Sequence, residues 1–297
     1  MSKIHPGAIL LAAFFVSTSA AFAETIEVPA DHPTIQAAIE AAVPGDVINV
    51  AAGSFAIRTA IDPLGKGIEV RGALDAEGRP LTRINGEATT RIVDVKTGET
   101  NTTVFRNLRF ENSARTSFGG VVRITGASPV FETCEIRGGS AIYKGGGVWT
   151  RDDAAPIFRD CLVTENQCEI VGGAFFADDS SVITIQNCVI RDNTAQSGAA
   201  IYINGSANAA LEDSTLCNNQ TTQIDGAFSD LGGNSLTNTC GCLGDFNGDG
   251  MVNGVDLGSF FSFWGRCPAP CPADQNNDGV VNGIDLGLFF AYWGECP

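Results

Sequence analysis

Five decapeptides from the middle of this sequence lie over one another: VFRNLRFENS (104–113), VFETCEIRGG (130–139), IFRDCLVTEN (157–166), TIQNCVIRDN (184–193) and ALEDSTLCNN (210–219). Their starts step by 26 or 27 residues. A glycine-led segment recurs with the same period: GGVVRI from Gly119, GGVWTR from Gly146, GGAFFA from Gly172 and GAAIYI from Gly198. A period of this size signals a repeat architecture in which each unit buries its apolar face only by stacking on the next. Within a unit, apolar and polar residues alternate and glycine or Asn/Asp marks the turns. No unit has room for a helix pair. The expected structure is one solenoid turn per unit, with strands stacked about 4.8 Å apart. With weaker units before Asn101, the rod comes to roughly seven turns.

The stacking predicts ladders. Cys134, Cys161 and Cys188 share one repeat position, flanked by Leu108 and Ser214, and read as small buried thiols. Cys168 falls where other turns carry Ala141 and Ala195, so it too belongs in the core. Arg106, Glu132, Arg159, Gln186 and Glu212 form an outward ladder whose alternating charges suit cross-strand pairing. Cys217 and Cys240 are placed to fasten the last turn.

Upstream, TIEVPADHPTIQAAIEAAVPGDVINVAA (25–52) reads as a strand over Ile26–Val28, a helix from about Thr34 to Ala42 and a strand over Val47–Val50. Asp31 is a candidate helix cap, Pro33 suits the first turn, and Ile35, Ala38 and Ile39 make one apolar face. This segment resembles the N-terminal helical cap of right-handed parallel β-helices of the pectin-lyase type. The VxxN and IxxN steps followed by GGA- or GAAI-like strands are likewise similar to generic β-helix repeats of secreted and outer-membrane bacterial proteins. That resemblance implies a fold and no particular reaction.

Residues 1–23 read as a secretory signal. Lys3 supplies the basic start, Ala8–Val16 the apolar core, and Ala21-Phe22-Ala23 the cleavage site. The apolar run is too short to span a bilayer and none later is better suited, so no membrane span is expected. Export after cleavage at Ala23 suits the ten cysteines. A net charge of −16 repels phosphate backbones, which argues against nucleic acid and anionic membranes as partners.

The last segment carries a second repeat. CLGDFNGDGMVNGVDLGSFFSFWGRC and CPADQNNDGVVNGIDLGLFFAYWGEC are in register, 29 residues apart. Oxygen-bearing side chains fall at alternate positions: Asp245, Asn247, Asp249, Asn253 and Asp256, then Asp274, Asn276, Asp278, Asn282 and Asp285. Gly250 and Gly279 stand sixth, where a loop coiled around calcium turns sharply. Met251 and Val280 stand seventh, where only the backbone carbonyl is offered. A hard cation needing six to eight oxygens explains the spacing, and two Ca2+ sites are expected. CLG and PAPCPA cannot form entering helices. Exiting helices carry Leu257, Phe260, Phe261 and Trp264, or Leu286, Phe289, Phe290 and Trp293, at helical spacing.

A duplicated loop-plus-helix with Asp at position twelve resembles the type I dockerin modules of secreted bacterial polysaccharide-degrading systems. The resemblance covers 241–297 and implies a cohesin-like or cell-surface scaffold as partner. It places partner contacts at the tenth and eleventh loop positions, Gly254, Val255, Gly283 and Ile284. These depart from the hydroxyl pairs of many dockerins. Cys242, Cys267, Cys271 and Cys296 flank the two loops symmetrically. Symmetry favours Cys242–Cys267 with Cys271–Cys296, and the nested pairing stays open.

Catalytic residues do not stand out. His32 is the one histidine after the signal, which excludes Ser-His-Asp, Cys-His and histidine-metal chemistry. Asp152–Asp153 and Asp178–Asp179 occupy equivalent places on neighbouring turns, where tight-turn aspartates are expected in any case. A lyase reading would point to Arg159 and Asp160, and a hydrolase reading to a carboxylate pair. The expectation is therefore an all-β right-handed parallel β-helix over 24–240, with an N-terminal helical cap, followed by a small α calcium-binding, dockerin-like domain over 241–297. Its function would be association with polysaccharide, in binding or in breakdown. The alternative is a non-catalytic cell-surface or adhesion rod attached through the calcium module.

Overall fold

The computed structural model describes residues 23–238, 240–241, 243–247, 251–267, 271–276 and 278–295. The expected signal, apart from Ala23, lies outside them. From Thr25 to Leu236 the chain winds as a parallel β-solenoid of about eight turns, its three main sheets holding 9, 8 and 6 strands. The first sheet runs from Thr25–Val28 to Ser229–Asp230, the second from Gly53–Ala56 to Ser235–Leu236, and the third from Val93–Val95 to Ile224–Asp225. Each strand pairs in parallel with its counterparts one turn before and after, as Val130–Glu132 does with Val104–Arg106 and Ile157–Arg159. The coil exceeds the roughly seven turns expected because short strands at both ends join the stack.

The corner between the first and second sheets is one residue in the left-handed region. Asn107, Thr133, Asp160, Asn187 and Asp213 fill it, with φ between 48° and 59°. Asn and Asp tolerate that conformation better than other residues with a side chain, which explains their recurrence after each first-sheet strand. Thr133 is the exception, a β-branched residue held there by its neighbours.

Inside the coil, identical positions stack. Phe105, Phe131 and Phe158 lie face to face, with ring centroids 5.0 and 4.9 Å apart, and Ile185 and Leu211 continue the column. Cys134, Cys161 and Cys188 are free, buried thiols, as the ladder predicts. Burial, followed by the neighbouring Cys134, pushes the Cys161 thiol up, and contact with Cys161 followed by burial does the same to Cys188. Cys168 packs with Ala141, Ala195 and Ala199. A polar ladder escaped the sequence reading: Asn166, Asn193 and Asn219 are buried in line. Asn193 Oδ1 accepts from the Asn166 main-chain N–H at 2.9 Å and from its Nδ2 at 3.0 Å, and Asn219 repeats the pattern towards Asn193. Asparagine serves because its amide is donor and acceptor at once, so one turn satisfies the next.

Near the start, helix α1 (Ile35–Ala41) buries Ile35, Ala38 and Ile39 against Thr25–Val28 and Val47–Val50. Its N-cap is Thr34, whose hydroxyl accepts from the Ala37 N–H, and not Asp31. Asp31 instead accepts from the Glu27 N–H at 2.7 Å.

The C-terminal segment has its own core of Val252, Phe260, Cys267, Ala273, Val281 and Phe289. Helices α2 (Gly254–Ser262) and α3 (Gly283–Ala291) carry it. Each repeat braces the other: Gly265–Arg266, past α2, pairs antiparallel with Val280–Val281, and Gly294–Glu295, past α3, pairs with Met251–Val252. Cys217 bonds Cys240 at the last solenoid turn, as anticipated. Cys267 bonds Cys271, which overturns the symmetric pairing and is the inner bond of the nested one. The crossed ribbons explain this, since they bring the end of one repeat to the start of the next. Cys242 and Cys296 lie outside the described residues.

Candidate functional site

The second C-terminal loop can be followed through its oxygens. Asp274 accepts from the main-chain N–H of Asp278 at 3.1 Å and of Gly279 at 2.8 Å. Asn276 Oδ1 accepts from the Asp278 N–H at 3.0 Å, and its Nδ2 donates to Asp278 Oδ2 at 2.9 Å. Gly279 has φ +85°, as the sixth position requires. Asp285 closes the loop from α3. It is fully buried and accepts from the N–H of Gln275, Asn276 and Asn282 at 2.9, 3.3 and 2.9 Å. Burial pushes its carboxyl up, and these three N–H groups outweigh that and hold it below the usual carboxylate value.

The first loop repeats the geometry where it is described. Asp256 is fully buried and accepts from the N–H of Phe246, Asn247 and Asn253 at 2.9, 3.3 and 3.0 Å. Asp245, Asn247 and Met251 are within the described residues, while Asp249 and Gly250 are not. The ninth-position asparagines act as helix N-caps: Asn253 accepts from the Val255 N–H and Asn282 from the Ile284 N–H, both at 2.8 Å. With Asp256 and Asp285 they form capping boxes, a role the Asn-x-x-Asp spacing encodes and the sequence reading passed over. Among the described residues no three Asp, Glu, His or Cys side chains converge as a metal cluster. The remaining loop positions hold asparagines and the main-chain carbonyls of Met251 and Val280, and Asp249 lies outside. Every donor is a hard oxygen, and the buried carboxylates keep lone pairs beyond their N–H contacts. The donor set therefore has the chemistry calcium needs.

The expected apolar helix faces divide in two. Phe260 and Phe289 are buried, whereas Phe261, Trp264, Phe290 and Trp293 are about half exposed, at 49–50 %. Phe261 lies 5.6 Å from Trp264, and Phe290 lies 5.5 Å from Trp293. Of the four residues at the tenth and eleventh positions, Gly254 and Gly283 are exposed, and Val255 and Ile284 are the most exposed large apolar side chains among the described residues, at 63 % and 61 %.

On the rod, the candidate carboxylates are held by cations, and Arg151 lies between two of them, 2.8 Å from Asp152 and 3.8 Å from Asp179. Asp178 takes Lys144 at 2.6 Å and Asn204 at 2.8 Å. Burial raises the Asp178 carboxyl, and Lys144 and Asn204 bring it below its ordinary value, so it stays ionised. Asp152, Asp153 and Asp179 sit at φ of 57°, 58° and 54°, the turn role expected. Arg159 engages Gln186 at 3.2 Å and Asp160 engages Asn187, with nothing that joins the two in one site. The outward ladder pairs in part: Arg106 bridges Glu132 and also Glu69, Arg159 turns to Gln186, and Gln186 donates to Glu212.

The third sheet holds a feature the sequence reading missed. Pairing sets Arg123 beside Trp149, Trp149 beside Phe176, and Phe176 beside Tyr202, one per turn on the outer face. The glycines that open these turns are Gly119, Gly145, Gly172 and Gly198, each with φ between 57° and 70°. The repeat was framed from Gly146, one residue late. A one-residue shift exchanges the faces of a strand. Counted from Gly145, Trp149 shares its position with Arg123, Phe176 and Tyr202, and Thr150 is buried against Ser181. Phe118 stacks on Trp149 at 5.0 Å, Phe176 on Tyr202 at 5.2 Å, and the Lys144 ammonium lies 4.8 Å over Phe176.

Among the described residues no helix is long and apolar enough to cross a membrane. Comparison with curated proteins and with solved structures gives no match. A family model described as the right handed beta helix region matches residues 93–241, just over half of the 297-residue chain. That span covers the stacked turns with the phenylalanine, cysteine and asparagine ladders, and the chain belongs to the right-handed β-helix family.

Proposed function

We propose that this is an exported, carbohydrate-associated β-helix that attaches to a cohesin-like or cell-surface scaffold through a calcium-binding, dockerin-like module at 241–297. The observation that carries this reading is the second loop. Asp274 accepts from the N–H groups of Asp278 and of the left-handed Gly279, and Asp285 accepts from the N–H groups of Gln275 and Asn276. Loop and helix are thus tied by oxygens at the spacing calcium uses, and Asp256 makes the same contacts to Phe246 and Asn247. Asp245, Asn247, Asp249, Met251, Asn253 and Asp256 would hold one Ca2+, and Asp274, Asn276, Asp278, Val280, Asn282 and Asp285 the other. Calcium would cross-link each loop to its helix without taking part in any reaction. The repeated exposed side chains, Val255 with Ile284 and Trp264 with Trp293, would supply apolar contacts for docking.

The carbohydrate part is supported by membership of the right-handed β-helix family and not by the third-sheet rings, which are covered, Trp149 at 6 % and Phe176 at 1 % exposure. On this reading α1 closes the first turn, covering an otherwise open apolar end, and residues 1–23 direct export. The pairing of these carboxylates with Arg151 and Lys144 favours a role in binding over one in bond cleavage. The test uses the mature protein against acidic and neutral polysaccharides, with and without calcium. Retention on a glycan with no new reducing ends and no unsaturated products is expected. No retention on any glycan would refute the carbohydrate part, and absence of calcium binding by calorimetry would refute the module.

A further inference from the structure

The first turn of the rod holds a buried carboxylate, that of Asp46, which is 4 % exposed. Asp46 ends the turn Val43-Pro44-Gly45, closed by its N–H to the Val43 carbonyl at 3.1 Å, with Gly45 at φ +101°. The next turn of the coil pins it there. Gly45 donates to the Gly67 carbonyl at 2.7 Å, and the Asp46 carbonyl takes the Glu69 N–H at 3.0 Å. The carboxylate itself accepts two main-chain donors, Val43 N–H on Oδ2 at 2.7 Å and Glu24 N–H on Oδ1 at 2.9 Å. Among the described residues no Lys or Arg pairs with it. Lys66, beside Gly67, donates instead to the Ile39, Glu40 and Ala42 carbonyls at the end of α1. A buried carboxylate without a charged partner is costly.

Glu24 is the residue that cleavage after Ala23 would make the first of the mature chain. Its place is fixed by the sheet. Thr25 to Val28 pair in register with Val47 to Val50, and the Val47 N–H donates to the Glu24 carbonyl at 2.9 Å. The Glu24 nitrogen is thereby set against the Asp46 carboxylate. A signal peptidase hydrolyses the Ala23–Glu24 amide with one water. The water oxygen leaves in the Ala23 carboxylate, and both water protons end on the Glu24 nitrogen, which becomes an ammonium at neutral pH.

We propose that Asp46 is the receptor for the processed N-terminus. Removal of residues 1–23 turns a neutral hydrogen bond into an ion pair and tightens the strand Thr25–Val28 and α1 onto the first turn of the rod. The precursor has an amide at this place and holds the same end of the rod less firmly. The inference rests on the export reading above and specifies what the cleavage does to the fold.

Intact mass of the exported protein first establishes its terminus, expected at Glu24. The test then compares the chain that begins at Glu24 with one that keeps Ala23, whose ammonium is one residue out of place. Hydrogen exchange is read in peptides from 25–50. Retaining Ala23 should speed exchange there about tenfold, the difference between a charge-assisted and a neutral hydrogen bond. The same pair of chains carrying Asp46→Asn should exchange alike, because the terminus then has no carboxylate to meet. Peptides from 130–219 should not change in any of the four. Equal exchange in the Glu24 and Ala23 chains overturns the inference without recourse to a substitution. An undiminished tenfold ratio in the Asp46→Asn pair overturns it too, and either result leaves the export reading standing. An exported protein that begins elsewhere than Glu24 overturns both the cleavage and the inference.

Discussion

The rod and the C-terminal segment are both built by repetition, and they use it differently. In the rod, each turn supplies the next with its missing partners. Phe131 stacks between Phe105 and Phe158, and Asn193 accepts from Asn166 while donating towards Asn219. Stability is then roughly a sum over neighbouring turns, and no single group closes the structure. The C-terminal repeat occurs twice only, and among the described residues its core is six buried side chains. It closes by exchange, each repeat lending a strand to the other's loop, with the Cys267–Cys271 bond at the junction. A core that small usually needs staples. The oxygen-lined loops are where the remaining stabilisation would come from. Repetition suffices when copies are many, and two copies need a cross-link.

That contrast can be broken most forcefully by removing calcium. Chelation should unfold the C-terminal segment and leave the rod intact, a loss of about 4 kcal/mol for each site saturated a thousandfold above its dissociation constant. Two-wavelength melting in a Trp149→Phe background separates the regions, because Trp264 and Trp293 are then the remaining tryptophans and far-ultraviolet signal is mostly rod. Next in size is Phe158→Ala, which opens the phenylalanine column and should cost about 3–5 kcal/mol of rod stability with the segment unaffected. Asn193→Ala comes third. It strands the Asn166 main-chain N–H and the Val163 carbonyl, at about 1–3 kcal/mol, measured by chemical denaturation.

The smallest expected effect concerns acid. The folded-state value of Asp285 is depressed below its unfolded value, so its contribution is present above about pH 4 and is lost as pH falls through the folded-state value. Asp94 and Asp178 of the rod carry the same sign, from Arg123 and from Lys144 respectively. Asp285→Asn should flatten the segment's acid transition and leave the rod's unchanged. An identical shift in both regions would mean that they unfold as one unit.

Periodicity made most of the rod legible in the sequence. The Asn or Asp at each corner, the cysteine ladder and the paired outward charges all follow from residues at a fixed period, because a stacked coil places equal positions in contact. The frame of one turn failed at three successive glycines, Gly145 to Gly147, where nothing local says which glycine takes the left-handed conformation. That single-residue ambiguity hid the aromatic column. The disulfide of the C-terminal segment was illegible for another reason. Symmetry of spacing is a local property, whereas the crossed ribbons that join Cys267 to Cys271 arise only when the two repeats pack together. The double duty of Asn253 and Asn282, as loop oxygens and helix caps, was encoded in Asn-x-x-Asp and masked by the stronger loop pattern.

Hydrogen exchange of the intact protein, read by region with calcium and with a chelator, tests the account most directly. Peptides from 104–219 should exchange at the same slow rate in both conditions, and peptides from 251–295 should be protected only with calcium. Equal protection of 251–295 in both conditions would contradict the account, and the segment would then stand on its packing and its disulfide alone.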